Sequence, residues 1–126
     1  MRRSARHYLV AVGIAAAWLP IVWWRPLGRV EVTGDSMLPA LAAGDRLLVL
    51  RGRRVRIGDV VAVADPRLAT RTFVKRVAAT GSLGVLVLGD NAEASTDSRM
   101  LGPVAPASIR GRVVYRYFPD SRRGRL

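Results

Sequence analysis

Two residues stand out for the chemistry they could do together. Ser36 lies within Gly34-Asp35-Ser36-Met37-Leu38-Pro39-Ala40-Leu41, and Lys75 is the single lysine among 21 cationic side chains. A serine on a glycine-containing turn leaving a strand projects its hydroxyl into a groove, and its own N–H can help hold a developing oxyanion. The hydroxyl still requires a base. The sequence has no cysteine and one histidine, His7, placed near its start beside an apolar run. This composition excludes a thiol nucleophile, a thiolate metal site, a disulfide framework, and any Ser-His-Asp triad or multi-histidine zinc site within one molecule. Lys75 is the strongest candidate base, because a buried amine can shed its proton whereas a guanidinium cannot. A plainer reading stands beside this one: Lys75 is the lysine left over on an arginine-biased surface, its ammonium reaching to water.

The elements around the pair decide between these readings. Arg71 to Ala79 reads as a strand, and alternation places Phe73 and Val77 on the face of Lys75 while Val74 and Arg76 point the other way. An ammonium flanked by Phe and Val is desolvated, which favours its neutral form. Further short β-branched runs at Val30 to Thr33, Arg46 to Arg51, Val60 to Ala64, Leu83 to Leu88 and Arg112 to Tyr117 predict strands, with turns at Gly58-Asp59 and Gly81-Ser82. The expected fold class is mainly β, in one compact domain, since 126 residues leave no room for a second full domain.

Ahead of that domain, residues 8–24 carry no charge, enough for about 26 Å of helix, which just spans a bilayer core. Arg2, Arg3 and Arg6 precede the run, and Trp18, Trp23 and Trp24 gather at its far end as interfacial anchors. A cleavable signal peptide and a buried core helix are the competing readings. Cleavage after Ala17 would leave an exposed apolar terminus, which favours a retained single-pass helix. The positive-inside rule then puts the N-terminus in the cytoplasm and the β domain on the extracytoplasmic side, with Arg25 and Arg29 weakening the asymmetry. The expected organisation is a basic tail (1–7), a transmembrane helix (8–24), a linker (25–29), the β domain (30–119) and a basic, frayed C-terminal tail (120–126).

Taken in order, three stretches resemble the signature motifs of the type I signal peptidases, membrane peptidases that use a Ser/Lys pair. They are Gly34 to Leu41, Phe73-Val74-Lys75-Arg76-Val77, and Gly89-Asp90-Asn91-Ala92-Glu93-Ala94-Ser95-Thr96-Asp97-Ser98-Arg99. The resemblance runs from Val30 to Pro119 and implies a compact signal-peptidase-like β domain with one N-terminal transmembrane helix. It implies Ser36 as nucleophile and Lys75 as general base, with Ser95 orienting the lysine amine and Asp97 and Arg99 bracing the site. The same likeness implies exported preproteins with a small-x-small cleavage site as substrates, membrane lipid as surroundings, and neither cofactor nor metal. Ser36 and Lys75 stand 39 residues apart, which suits the compact members and leaves no space for the extra β domain of larger ones. One departure is Gly34, where some members carry a serine whose hydroxyl completes the oxyanion hole. Asp35 lies in the same motif, with a tuning effect on Ser36 left open. Met37, Leu38 and Pro39 are expected along the substrate groove; for the apolar residues beside the serine, Met37, Leu38 and Leu41, the groove, the membrane surface and ordinary core packing are the alternatives.

Other functions remain in view. The short length and the stretch from Ala92 to Arg99 also look similar to small peptidases that trim the N-terminus of nickel superoxide dismutase, a dedicated rather than general role. A net charge of +12 would suit a membrane-tethered binding module for anionic lipid or nucleic acid. Against nucleic acid, the arginines are scattered, and aromatic residues are only 6% of the chain, too few for a stacking platform. A self-cleaving repressor with the same pair is disfavoured by an N-terminal segment that reads as a hydrophobic span.

Overall fold

The computed structural model describes residues 27–52 and 54–126, and the expected transmembrane helix over 8–24 lies outside them. Seven strands form one antiparallel sheet: β1 (Leu27–Glu31), β2 (Arg46–Arg51), β3 (Val60–Asp65), β4 (Leu68–Gly81), β5 (Gly84–Leu88), β6 (Ile109–Phe118) and β7 (Gly124–Arg125). Their order is β1-β2-β6-β3-β4-β5, with β7 on β6. Among the described residues no helix is long and apolar enough to cross a membrane; α1 (Ser98–Leu101) is a single turn.

β3 is the hub, because Val60-Val61-Ala62-Val63 is buried on both faces. Val60 and Ala62 join Val32, Met37, Leu41, Leu47, Val49, Val74 and Val113 in one cluster, whereas Val61 and Val63 join Val77, Val85, Val87, Val104 and Ile109 in the other. Period-two alternation along a strand that has neighbours on both edges thus feeds two cores at once. Each buried valine contributes about 1.5 to 2 kcal/mol. On β4, Val74 belongs to the first cluster, while Phe73 and Val77 pack with the second, and Lys75 lies between them opposite Val61. The lysine is therefore committed to a core face, as strand alternation requires.

Most expected strands fall where the β-branched runs lie. β4 is longer than expected, beginning at Leu68, and β6 begins at Ile109. The C-terminal residues differ from the frayed tail read from their composition. β7 pairs Arg125 with Tyr115 and Gly124 with Arg116, and Arg122 forms an ion pair with the buried Asp45. A long-range carboxylate, invisible in a local window, orders this basic segment.

Candidate active site

The connection between β1 and β2 carries Ser36. Its base is closed by Val32 N–H to Asp45 O (2.9 Å) and Gly44 N–H to Val32 O (2.7 Å). Within it, Leu38 N–H donates to Asp35 O (3.2 Å) and Leu41 N–H to Met37 O (2.9 Å), making tight turns. Met37 and Leu41, one helical turn apart, are both fully buried in the first core, so they pin the turn to the sheet and leave Ser36 part-exposed above it. Leu38 is half-buried and Pro39 exposed.

The loop after β5 is docked onto this turn. Asn91 N–H donates to Ser36 O (2.8 Å), and the Asn91 side-chain amide donates to Asp35 O (3.1 Å). Arg76 on β4 holds Asp90 through two guanidinium bonds of 2.9 and 2.8 Å, which fixes the start of the loop. Gly89 is required here by close approach. A Cβ at that position would strike Ser95 Oγ and come within 2.6 Å of Ser36 O. Gly89 opens the third signature stretch in the sequence, but its close approach to Ser36 and Ser95 is not visible there.

Lys75 is 3% exposed, and its Nζ donates to Ser95 Oγ at 2.9 Å and lies 5.3 Å from the centre of the Phe73 ring. Ser95 Oγ in turn donates to Asp97 Oδ2 at 2.6 Å. The order of donors matters. With its one proton given to Asp97, the Ser95 hydroxyl can only accept from the lysine, so the lone pair of a neutral Lys75 amine stays available. Asp97 is fully buried and also accepts from Gly89 N–H (2.8 Å), Arg99 N–H (3.0 Å) and the Arg99 guanidinium (3.0 and 2.6 Å). It caps α1 as well as closing this network.

The electrostatics follow from the same contacts. Burial pushes the Lys75 ammonium below the usual lysine range, opposed by the negative Asp97 and aided by the positive Arg99 and Arg67. Burial also works to raise Asp97, but the hydrogen bonds from Arg99, Ser95 and the Gly89 and Arg99 N–H groups overcome it and hold the carboxyl well below the usual carboxylate range. An anion is thus kept charged two bonds away from an amine that is pushed toward neutrality.

Ser36 and Lys75 line one cavity of about 180 Å³, together with Gly34, Asp35, Met37, Thr72, Phe73, Val74, Ala94 and Thr96. Glu31, Asp65, Arg67 and Arg71 add charged groups to its lining. The structure therefore brings Gly34, Asp35, Ser36, Met37 and Lys75 to the cavity wall and sets Ser95, Asp97 and Arg99 behind the lysine. Leu38 and Pro39 are not among the lining residues, because the turn that buries Met37 directs its successors elsewhere. Asp35 is exposed and enters the bonding through its backbone oxygen.

A buried amine and a turn-borne serine line one cleft, and comparison with known proteins identifies the chain at the level of the family. The family model described as signal peptidase, peptidase S26, matches residues 3–82 and 83–118. The chain is 34% identical to the mitochondrial ATP-independent inner membrane protease subunit 1a of Arabidopsis thaliana, over 99% of this chain and 92% of that protein. It is 27% identical to the probable signal peptidase I-1 of a Synechocystis strain, over 75% and 73% of the two chains. Such matches weigh against a purely non-enzymatic basic module. On the ordered motifs, the β architecture and these alignments together, the chain belongs to the signal peptidase family, peptidase S26.

Proposed function

We propose that this peptidase is a membrane-anchored serine endopeptidase that removes signal peptides from exported preproteins, with Ser36 as nucleophile and Lys75 as general base. Ser36 Oγ attacks the scissile carbonyl carbon while its proton passes to the neutral Lys75 amine. The lysine then gives that proton to the departing amine nitrogen, leaving an ester on Ser36. A water, deprotonated by the same amine, attacks the ester, and the proton returns to Ser36 as the new carboxylate leaves. Ser95 and Asp97 act as positioning residues for the amine, Arg99 braces Asp97, and backbone N–H groups of the serine turn face the oxyanion. The apolar part of the cleft, with Met37 and Phe73, receives small substrate side chains.

The observation that carries this reading is the buried Lys75, whose N–H is given to Ser95 while Ser95 gives its own proton to Asp97, on the wall of the cavity that Ser36 lines. Anchoring rests on the uncharged stretch over 8–24 and on a relative named as an inner membrane protease. The positive-inside rule places the catalytic domain extracytoplasmically.

The test is cleavage of a precursor with an Ala-x-Ala site by the full chain in detergent, with the new N-terminus mapped by mass spectrometry. Ser36→Ala and Lys75→Met are each expected to lower kcat by about a thousandfold or more. Near-normal cleavage by either variant would overturn the assignment. Activity should rise with pH through the lowered Lys75 pKa and level off before the ordinary lysine value of 10.5, since only the neutral amine accepts the proton. Stability gives an independent check. The native state holds fewer protons than the unfolded chain between the lowered pKa and 10.5, so the burial cost is complete below that window and fades across it. Lys75→Met should therefore raise Tm at neutral pH, and the gain should shrink as pH approaches 10.5. Cleavage of one precursor in a panel, with the others spared, would mark a dedicated maturation peptidase instead of a general one.

A further inference from the structure

A second cavity, of about 150 Å³, opens beside the start of β1 and is lined by Gly28, Arg29, Val30, Val49, Arg51, Ala62, Thr72 and Arg110. Its lining has no carboxylate. The space exists because small residues floor it: Gly28 has no side chain, and Ala62 occupies the β3 position between the guanidinium-bearing strands β2 and β6 and Thr72 on β4. Arg51 folds over this floor, its Nε 3.4 Å from where a Cβ of Gly28 would stand. Arg110 reaches from β6 to Ala69 O on β4, at 2.7 Å, so its guanidinium is held by one donor with others unspent.

The charge here is uncompensated. All nine acidic residues of the sequence lie at position 31 or later, within the described residues. Five of them, Asp45, Asp65, Asp90, Asp97 and Asp120, pair with arginines other than Arg51 and Arg110. Among the described residues neither Arg51 nor Arg110 has a carboxylate within ion-pair distance. Of the three arginines in the lining, Arg29 lies over the Tyr117 ring, 5.9 Å from its centre, which leaves the Arg51 and Arg110 guanidinium groups and Thr72 as a donor set matched to a tetrahedral oxyanion, which arginine binds through paired N–H groups.

We infer that Arg51 and Arg110 form a phosphate-binding site, separate from the peptidase cleft, that takes the phosphodiester of an anionic lipid headgroup. The phosphate chemistry stands on the cavity alone. The lipid source rests on the proposed anchoring, because Gly28 follows the last residue of the expected span, Trp24, by four positions and so belongs near the bilayer surface. Seated there, a headgroup would fix the β domain's angle to the membrane from the end of β1, next to the cleft that shares Thr72 with this cavity.

The experiment uses the full chain in a neutral maltoside detergent, following the arginine Nε–H resonances while either inorganic phosphate or short-chain phosphatidylglycerol is added, with short-chain phosphatidylcholine as the zwitterionic control. Saturable shifts at Arg51 and Arg110, and about tenfold weaker binding on each of Arg51→Gln and Arg110→Gln, are expected. Both side chains are exposed, so these variants keep the core, and an unchanged Tm verifies it. Saturation by phosphatidylglycerol at lower concentration than by phosphate supports the lipid source. Saturation by phosphate alone, or equally by phosphatidylcholine, overturns the anionic-lipid assignment, and binding that neither arginine variant weakens overturns the site. Running the titration on Ser36→Ala keeps the outcome distinct from the peptidase reading: its binding should match the parent whether or not Ser36 proves to be the nucleophile.

Discussion

Asp97 and Asp45 are both fully buried carboxylates, and both are held by arginines, yet they organise the molecule in opposite ways. Every partner of Asp97 lies within eight residues of it: Ser95, Arg99 and the Gly89 N–H. Asp45 takes one local bond, from Ala42 N–H at 2.9 Å, and otherwise reaches more than 70 residues along the chain to Arg116 and Arg122. Arg116 also donates to Ala40 O at 3.1 Å, so the C-terminal strand grips the far side of the turn that carries Ser36. One carboxylate fixes, within a single loop, the hydroxyl that orients the amine on β4. The other clamps the serine turn to the end of the chain. The difference separates two jobs that a buried anion can do: setting the protonation and direction of a neighbour, and tying distant segments into one rigid body.

The sharpest way to break this contrast is Asp97→Asn, expected to have the largest effect. The amide keeps the volume but removes the charge, and it no longer obliges Ser95 to donate toward it. Freed in this way, Ser95 can present its proton to the Lys75 lone pair, which blocks the amine as a base. A loss of roughly a hundredfold in kcat is expected from this misdirection. Removing the negative neighbour also lowers the Lys75 pKa further, so the acid limb of the pH–rate profile should move to lower pH even as the plateau falls. Stability should drop by roughly 2 to 3 kcal/mol at neutral pH, kept modest because the Arg99 side chain is 41% exposed. The Asp97 contribution is present above its unfolded value of 3.8 and is lost as pH falls through its depressed native value, so parent and variant should converge only in strong acid. An unmoved acid limb would show that Asp97 acts by structure alone.

Asp45→Asn should give the complementary result. Two guanidinium groups lose their anion, and the turn loses its clamp, at a cost of about 2 kcal/mol in stability measured by urea unfolding. The charged groups that act on Lys75 are Asp97, Arg99, Arg67 and Asp65, so the acid limb should stay where it is. A smaller fall in kcat, about fivefold to tenfold, is expected from a looser Ser36 turn. If instead the pH profile shifted and stability did not, the two carboxylates would have exchanged roles and the comparison would fail.

The same contrast explains what was legible in the sequence. Asp97 and its partners sit at fixed short offsets, so a local motif contains them, and strand alternation around Phe73, Lys75 and Val77 places the amine on an apolar face. β3 was legible as a strand, since Val60 to Ala64 is a β-branched run between turn residues, but its burial on both faces depends on the distant partners β4 and β6. The C-terminal segment was not, because a run of arginines and glycine reads as a solvated end until its anion, some 77 residues away, is known. Gly89 was hidden for a related reason. Its necessity comes from Ser36 O and Ser95 Oγ converging on one point, and convergence is a property of the folded chain.

The smallest effect is expected where neither carboxylate reaches, at the exposed entry of the serine turn. Gly34 has no positive φ, and a Cβ built there meets nothing within 4 Å, so a side chain fits without moving its neighbours. Gly34→Ser would add a hydroxyl two positions before Ser36, within the cavity lining, as a second donor to the oxyanion alongside the backbone. Gly34→Ala is the control, since it restricts the backbone equally but supplies no donor. A rise in kcat of about threefold to tenfold in Gly34→Ser over Gly34→Ala, with KM unchanged, is the expected outcome, because an oxyanion donor acts only as charge develops. Equal rates in the two variants would mean that the turn's N–H groups already satisfy the oxyanion. The glycine would then mark a turn whose positioning by Asp45 suffices, making the clamp, not an added donor, the determinant of rate on the serine side of the cleft.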